Sequence, residues 1–226
     1  MSRCSVCANS LARPISWTYL GIDKVTPGLC QTCLDAFVRI KAPLCRHCGR
    51  GLTIEGEEKR CPDCATWEGG PLIWNRSLAE RNPWLTEVIY RFKYRYDYEV
   101  ILGFQSLVQA AIKDCLDEQT AVVLVPVPLS QERLHVRKFN QALALAEMAG
   151  LKIDQCLSRM ETEKQAKKSR QARFAASNPF RLAHPPAATT VLLIDDIYTT
   201  GVTLHHAAEV LHAAGVEKIY SFTLAR

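Results

Sequence analysis

The sequence predicts a parallel α/β domain preceded by a small cysteine-rich head, and three observations carry that prediction. Of the 10 cysteines in 226 residues, eight fall before residue 65 as four CxxC pairs. Apolar runs at Ala121–Val125 and Val191–Ile194, and a third strand at Ile219–Leu224, alternate with segments of helical spacing. Short runs apolar at every position are buried strands, and strand–helix alternation is the pattern of a parallel sheet with helices on its faces. The composition changes near Trp67–Pro71, where Gly69, Gly70 and Pro71 mark a turn. The head is therefore placed at residues 1–68 and the α/β domain at 71–226.

Within the head, apolar residues scatter without a sustained period, so a segment of this size needs a staple. The start Met1-Ser-Arg-Cys has no apolar h-region, and no apolar run is long enough to span a bilayer. This predicts a cytoplasmic protein, and a reducing compartment favours metal over disulfides. A CxxC pair lets two thiolates reach one metal from a tight knuckle, and two knuckles complete a tetrahedral site. The pairs Cys4/Cys7, Cys30/Cys33, Cys45/Cys48 and Cys61/Cys64 thus predict two zinc ions. The knuckles can join sequentially, first with second and third with fourth, or cross-braced, first with third and second with fourth. Gly49 and Gly51 suit the turn after a ribbon knuckle and favour the sequential arrangement. Four thiolates leave no open coordination position, so both zinc ions are expected to be structural. Cys115 and Cys156 read as small core residues.

Behind the head, Trp84–Tyr94 and Tyr98–Leu116 carry apolar residues at helical spacing: Leu85, Val88, Ile89 and Phe92, then Leu107, Ala110, Ala111 and Cys115. Asn140–Ala149 reads as a helix stopped by Gly150, and Leu204–Ala214 as one ending at Gly215. A net charge of +5, from 28 basic and 23 acidic residues, permits phosphorylated ligands or nucleic acid without demanding them.

The most specific motif is Val191-Leu-Leu-Ile-Asp195-Asp196-Ile-Tyr-Thr199-Thr200-Gly201-Val202-Thr203. A strand delivers two adjacent carboxylates, and a loop of hydroxyl residues and glycine then opens a helix. N–H groups at a helix start point at an anion, Gly201 permits close approach, and Thr199, Thr200 and Thr203 add hydroxyl donors. The carboxylates suit vicinal ribose hydroxyls or, through water, a Mg²⁺ ion beside a polyphosphate. Both are expected at the exposed end of the strand. Arg133 and Arg137 lie four apart, on one face if helix begins there, and could meet pyrophosphate oxygens. Lys164, Lys167, Lys168, Arg170 and Arg173 place five cations within ten residues, enough to track a nucleic-acid backbone. Tyr94, Tyr96 and Tyr98 alternate and could stack on bases, although a half-buried junction explains them more simply.

The Val191–Thr203 pattern resembles the PRPP motif of type I phosphoribosyltransferases, which implies that family's fold behind a zinc-ribbon-like head. More of the chain is similar to the ComF family. The matching segments are Val125-Pro-Val-Pro-Leu-Ser130, Arg133, and Arg137-Lys-Phe-Asn-Gln141. They continue with Phe92-Lys93-Tyr94 before Asp97, and with Gln165, Ser169, Arg173, Asn178 and Phe180. The resemblance implies a PRPP site at Asp195, Asp196, Thr199, Thr200, Gly201, Val202 and Thr203, with Arg133 and Arg137 toward the pyrophosphate. In a working transferase, Asp195 and Asp196 would be the catalytic pair and Mg²⁺ would accompany PRPP. It also implies a basic flap over the site at Ser158–Pro179. Its cellular implications are handling of single-stranded DNA during natural transformation, with partners such as the ComFA helicase and DprA holding the protein at the inner face of the membrane. Three functions therefore compete: a competence factor, an active phosphoribosyltransferase, and a module that senses PRPP or a nucleotide. The first accounts for the cysteine head as well as the loop.

Overall fold

The computed structural model describes residues 3–11, 28–52, 60–95, 97–116, 122–161 and 178–226. In chain order its elements are α1 (Gln31–Asp35), α2 (Pro62–Ala65), β1 (Leu72–Ala79), α3 (Pro83–Tyr94), α4 (Glu99–Leu102), α5 (Gln105–Cys115) and β2 (Val123–Pro126). They continue with α6 (Gln131–Arg137), α7 (Gln141–Ala149), β3 (Leu157–Arg159), β4 (Phe180–Leu182), β5 (Thr190–Ile197), α8 (Val202–Ala213) and β6 (Lys218–Ala225).

Val191–Ile194 is apolar at every position because both faces of its strand are covered. The main sheet runs β1-β6-β5-β2, parallel throughout, with Val125 opposite Leu193 and Leu193 opposite Ser221. Successive side chains point to opposite faces. Leu192 and Ile194 accordingly enter one buried cluster with Leu85, Phe92, Val108 and Leu145 of α3, α5 and α7. Val191 and Leu193 enter a second cluster with Leu204, Ala208 and Leu211 of α8. This is the predicted α/β architecture, and it directs the C-terminal ends of β2 and β5 to one edge, where ligands of such sheets bind. A separate antiparallel pair, β3 with β4, stands at the two ends of residues 162–177.

Two elements differ from the sequence reading. β1 has no counterpart there, because Asn75, Arg76 and Ser77 break its apolar run. Those polar groups are satisfied internally. Asn75 is fully buried and donates to the Cys48 carbonyl (3.2 Å) and the Ser77 hydroxyl (3.0 Å), while Ser221 donates to its Oδ1 (2.9 Å). The second difference is the helix expected over Tyr98–Leu116, which is two helices, α4 and α5, meeting at Gly103. A Cβ on Gly103 would lie 2.9 Å from Leu29 Cδ2 and 3.1 Å from Ser5 Cβ, so the cysteine-rich segment presses on the break. The buried stripe of α5 runs through Val108 and Ile112, one position round from the expected Leu107 and Ala111, and Ala110 is exposed.

The four cysteine pairs divide between the two faces of the sheet. Cys4 and Cys33 belong to the cluster of α3, α5 and α7, and Cys45, Cys48, Cys61 and Cys64 belong to the cluster of α8. Cys156 is buried in that second cluster, and Cys115 is half-buried.

Candidate functional site

β5 carries Asp195 and Asp196 to the C-terminal edge, and the chain then turns through Tyr198–Gly201 into α8. Gly201 is the N-cap of α8 with φ 82, in the left-handed region that favours glycine. A Cβ at Gly201 would overlap the Tyr198 hydroxyl and ring, so the position is closed to side chains twice over. The first N–H groups of a helix have no partner within it, and here they follow the exposed Thr199 and the half-buried Thr200. The arrangement can cradle an anion, with Thr203 on the first turn.

One cavity of ≈ 230 Å³ brings most of the sequence-predicted residues together. Asp195, Asp196, Thr199 and Thr203 line it from the β5–α8 side, and Val127–Leu129, Arg133 and Arg137 from the β2–α6 side. Ser130 caps α6, its hydroxyl accepting from the Arg133 N–H (3.4 Å), so the two arginines leave one helix toward one cavity. The loop after β2 is held by Asn140, whose side chain donates to the Val127 carbonyl (3.0 Å) while its Oδ1 caps α7 by accepting from Ala142 (3.0 Å).

The carboxylates are less exposed than the sequence reading expects: Asp196 is 8% exposed and Asp195 half-buried. The reason is Lys93 of α3, which forms an ion pair with Asp196 in a largely desolvated setting. Asp195 accepts the Asp196 N–H (2.8 Å). Burial first, and the Asp196 carboxylate second, push Asp195 up to about 7.

Two cavity residues, Lys93 and Arg159, escape the sequence reading as site residues. Lys93 stands inside the Phe92-Lys93-Tyr94 segment matched to the ComF family, and that match is the sequence signal that singles it out. Arg159 follows from no local pattern. Burial, and then neighbouring Arg133, pull it down against the influence of Asp195. Tyr94 is exposed, its ring 5.0 Å from the Arg137 guanidinium carbon and its hydroxyl accepting from Arg137 (3.1 Å). Tyr98 donates to Glu147 (3.3 Å). Tyr96, Gln165, Ser169 and the basic residues Lys164, Lys167, Lys168, Arg170 and Arg173 lie outside the described residues. Asn178 joins β4 to α8, donating to the His206 carbonyl (2.8 Å) and to Glu209 (3.1 Å).

The cysteines form two groups, Cys4/Cys7/Cys30/Cys33 and Cys45/Cys48/Cys61/Cys64, with all four sulfurs of each within 4.8 Å of one another. This is the sequential arrangement. A tetrahedral zinc with bonds of ~2.3 Å sets its sulfurs about 3.8 Å apart. The sulfurs stand 3.7 Å apart for Cys4/Cys33, 3.5 Å for Cys7/Cys30, 3.8 Å for Cys45/Cys64 and 3.5 Å for Cys48/Cys61. Both donor sets fit a metal ion. In the second group, hydrogen bonding from Cys64 pulls Cys48 down to about 5 against its own burial.

Residues 150–226, from the end of α7 to the end of β6, match the model of the phosphoribosyl transferase domain. Over 99% of its length the chain is 34% identical to competence protein ComFC of Bacillus subtilis, covering 94% of that protein. It is 28% identical to competence protein ComFC of Streptococcus pneumoniae over 99% of this chain and 100% of that one. DNA utilization protein YhgH of Salmonella typhimurium is 28% identical over 88% of this chain and 90% of its own length. Among the described residues no helix is long and apolar enough to cross a membrane. The likeness extends from the first cysteine group to the last strand of the sheet, and the chain belongs to the ComF family, with its phosphoribosyltransferase-like domain.

Proposed function

We propose that this protein is a cytoplasmic competence factor that handles single-stranded DNA during natural transformation and binds PRPP with Mg²⁺ at the Asp195–Thr203 loop. The observation that carries the ligand is the shared cavity, where Arg133, Arg137 and Arg159 face the Asp195–Asp196 pair and the start of α8. In this reading the loop holds the 5′-phosphate and the carboxylates hold the ribose hydroxyls. Arg133, exposed on α6, and Arg137, half-buried there, take the pyrophosphate by charge-assisted hydrogen bonds. Bound Mg²⁺ would neutralise pyrophosphate charge. Zinc occupies both cysteine groups as a structural ion.

The DNA role rests on the names of relatives aligned over nearly the whole chain, and on the basic segment Lys164–Arg173. Affinity for a single strand should fall with salt at a log–log slope near −0.7 per phosphate contacted. Changing Lys167, Lys168 and Arg170 together to Ala should flatten that slope and lower transformation frequency. Titration of PRPP–Mg²⁺ into the wild type and into Asp195→Asn/Asp196→Asn tests the ligand. Binding by the first protein and none by the second is expected, and equal affinities would overturn the assignment.

An active transferase is the second reading, favoured by the same juxtaposition of a carboxylate pair with a cationic wall. Release of pyrophosphate from PRPP in the presence of an acceptor base would move it ahead.

A further inference from the structure

The phosphate loop is fastened from behind, and the fasteners come from the cysteine-rich segment. Trp67 lies three residues past Cys64, its backbone N–H donating to the Cys64 carbonyl (3.2 Å). Its indole Nε1–H donates to the Thr200 carbonyl (3.1 Å). Its ring stacks on His205 of α8, centroids 3.9 Å apart and planes within 3°. His205 in turn gives its backbone N–H to the Gly201 carbonyl (2.9 Å).

Hydrogen bonds also link two imidazoles behind the loop. His47, between Cys45 and Cys48, faces the Ile73 carbonyl with Nδ1 (3.2 Å), and a carbonyl only accepts, so that nitrogen carries the proton. His47 Nε2 lies 3.3 Å from His205 Nε2, so one hydrogen bond joins the two rings. His205 Nδ1 is buried with no hydrogen-bond partner among the described residues. A single ordered chain thus runs from Ile73 through two rings into the first turns of α8.

We propose that Trp67 is a positioning residue for phosphate binding: by fixing the Thr200 carbonyl, the second cysteine group aims the loop's N–H groups at the anion. A peptide unit is planar and trans, so anchoring the Thr200 carbonyl directs the Gly201 N–H to the opposite side. A second tie supports the first. The Tyr198 ring lies under Gly201, and the Arg226 guanidinium sits 4.5 Å over that ring, with its charge bearing on Cys48. Loop geometry, and with it phosphate affinity, is therefore set by the integrity of the cysteine group on that face. This inference rests on the phosphoribosyl-ligand reading above for the identity of the anion, but the tie itself is testable without ligand.

The test uses zinc-loaded, full-length protein and Trp67→Phe, which keeps a stacking ring and removes the donor. Zinc content, amide hydrogen exchange over residues 198–204 and PRPP–Mg²⁺ affinity are measured together. Two zinc ions per chain should remain, while loop exchange accelerates about tenfold and PRPP binds about tenfold more weakly, the scale of one hydrogen bond. Wild-type exchange in a zinc-replete Trp67→Phe protein would overturn the proposal. If wild-type protein binds no PRPP, the ligand reading falls and the exchange arm still decides the tie. Should Trp67→Phe fail to fold, fluorotryptophan-labelled wild type replaces it, with signals assigned by Trp17→Phe, Trp74→Phe and Trp84→Phe. On saturation with PRPP–Mg²⁺ the Trp67 resonance should shift and the Trp84 resonance should stay, and an unmoved Trp67 signal would contradict the proposal.

Discussion

The two cysteine groups have the same ligands and opposite surroundings. The first leaves Cys7 exposed and Cys30 half-buried, and packs Cys4 and Cys33 against the helices of α3 and α5. The second is buried at all four positions, sits against α8, and reaches the phosphate loop through Trp67 and His47. Equal chemistry therefore does unequal work. One group ties the start of the chain to a helical layer; the other is tied to the turn between β5 and α8.

Breaking each group in turn gives the largest expected effects. Structural zinc is worth ~10–16 kcal/mol of apparent binding free energy in finger peptides, so losing either ion destabilises strongly. Cys64→Ser should release one zinc, lower the thermal transition and abolish PRPP binding. Cys7→Ser should also weaken one site, yet leave PRPP affinity within about threefold, well under the tenfold that ~1.4 kcal/mol represents. Metal analysis with calorimetry checks both, and a Cys7→Ser protein that loses PRPP would erase the distinction.

Next comes the ion pair under the cavity. Lys93→Met leaves Asp196 buried without its cation, a loss of about 3–5 kcal/mol by chemical denaturation. Adding Asp196→Asn should recover most of that stability, because the uncompensated charge is gone. PRPP binding should not recover with it.

A smaller effect is expected at the turn itself. Gly201→Ala puts a Cβ where the left-handed backbone and Tyr198 leave no room, for about 1–2 kcal/mol of strain. PRPP affinity should fall further than stability does, since the turn adjoins the anion cradle.

The last expected effect is a pH dependence. The pKa of Asp195 in the folded protein is raised to about 7, above its ordinary carboxylate range. Between those values the folded state holds a proton that the unfolded state has lost, so this group's contribution falls as pH rises toward 7 and then levels off. Asp195→Asn should accordingly match the wild type near pH 4 and gain in relative thermal stability up to pH 8. A difference independent of pH would show that the group is not titrating there.

What the sequence disclosed followed from local pattern. The Val191–Thr203 run, the CxxC spacing and the stripe Leu85, Val88, Ile89 and Phe92 each declare themselves within a dozen residues. What it hid depended on partners distant in sequence. Asn75, Arg76 and Ser77 look foreign to a strand until Cys48, Ser221 and Thr223 satisfy Asn75 and Ser77. Lys93 and Asp196 are 103 residues apart, and the Trp67–Thr200 bond spans 133. The burial of Asp196 and the link from cysteines to loop were for that reason legible only in three dimensions.

The comparison between the two groups is tested most directly by hydrogen exchange on zinc-loaded wild-type protein, with and without saturating PRPP–Mg²⁺. Protection is expected in residues 195–204 and 127–137, with a smaller protection in residues 60–67 and no change in residues 28–37. Equal protection at both cysteine groups, or none at residues 195–204 with PRPP bound, would contradict it.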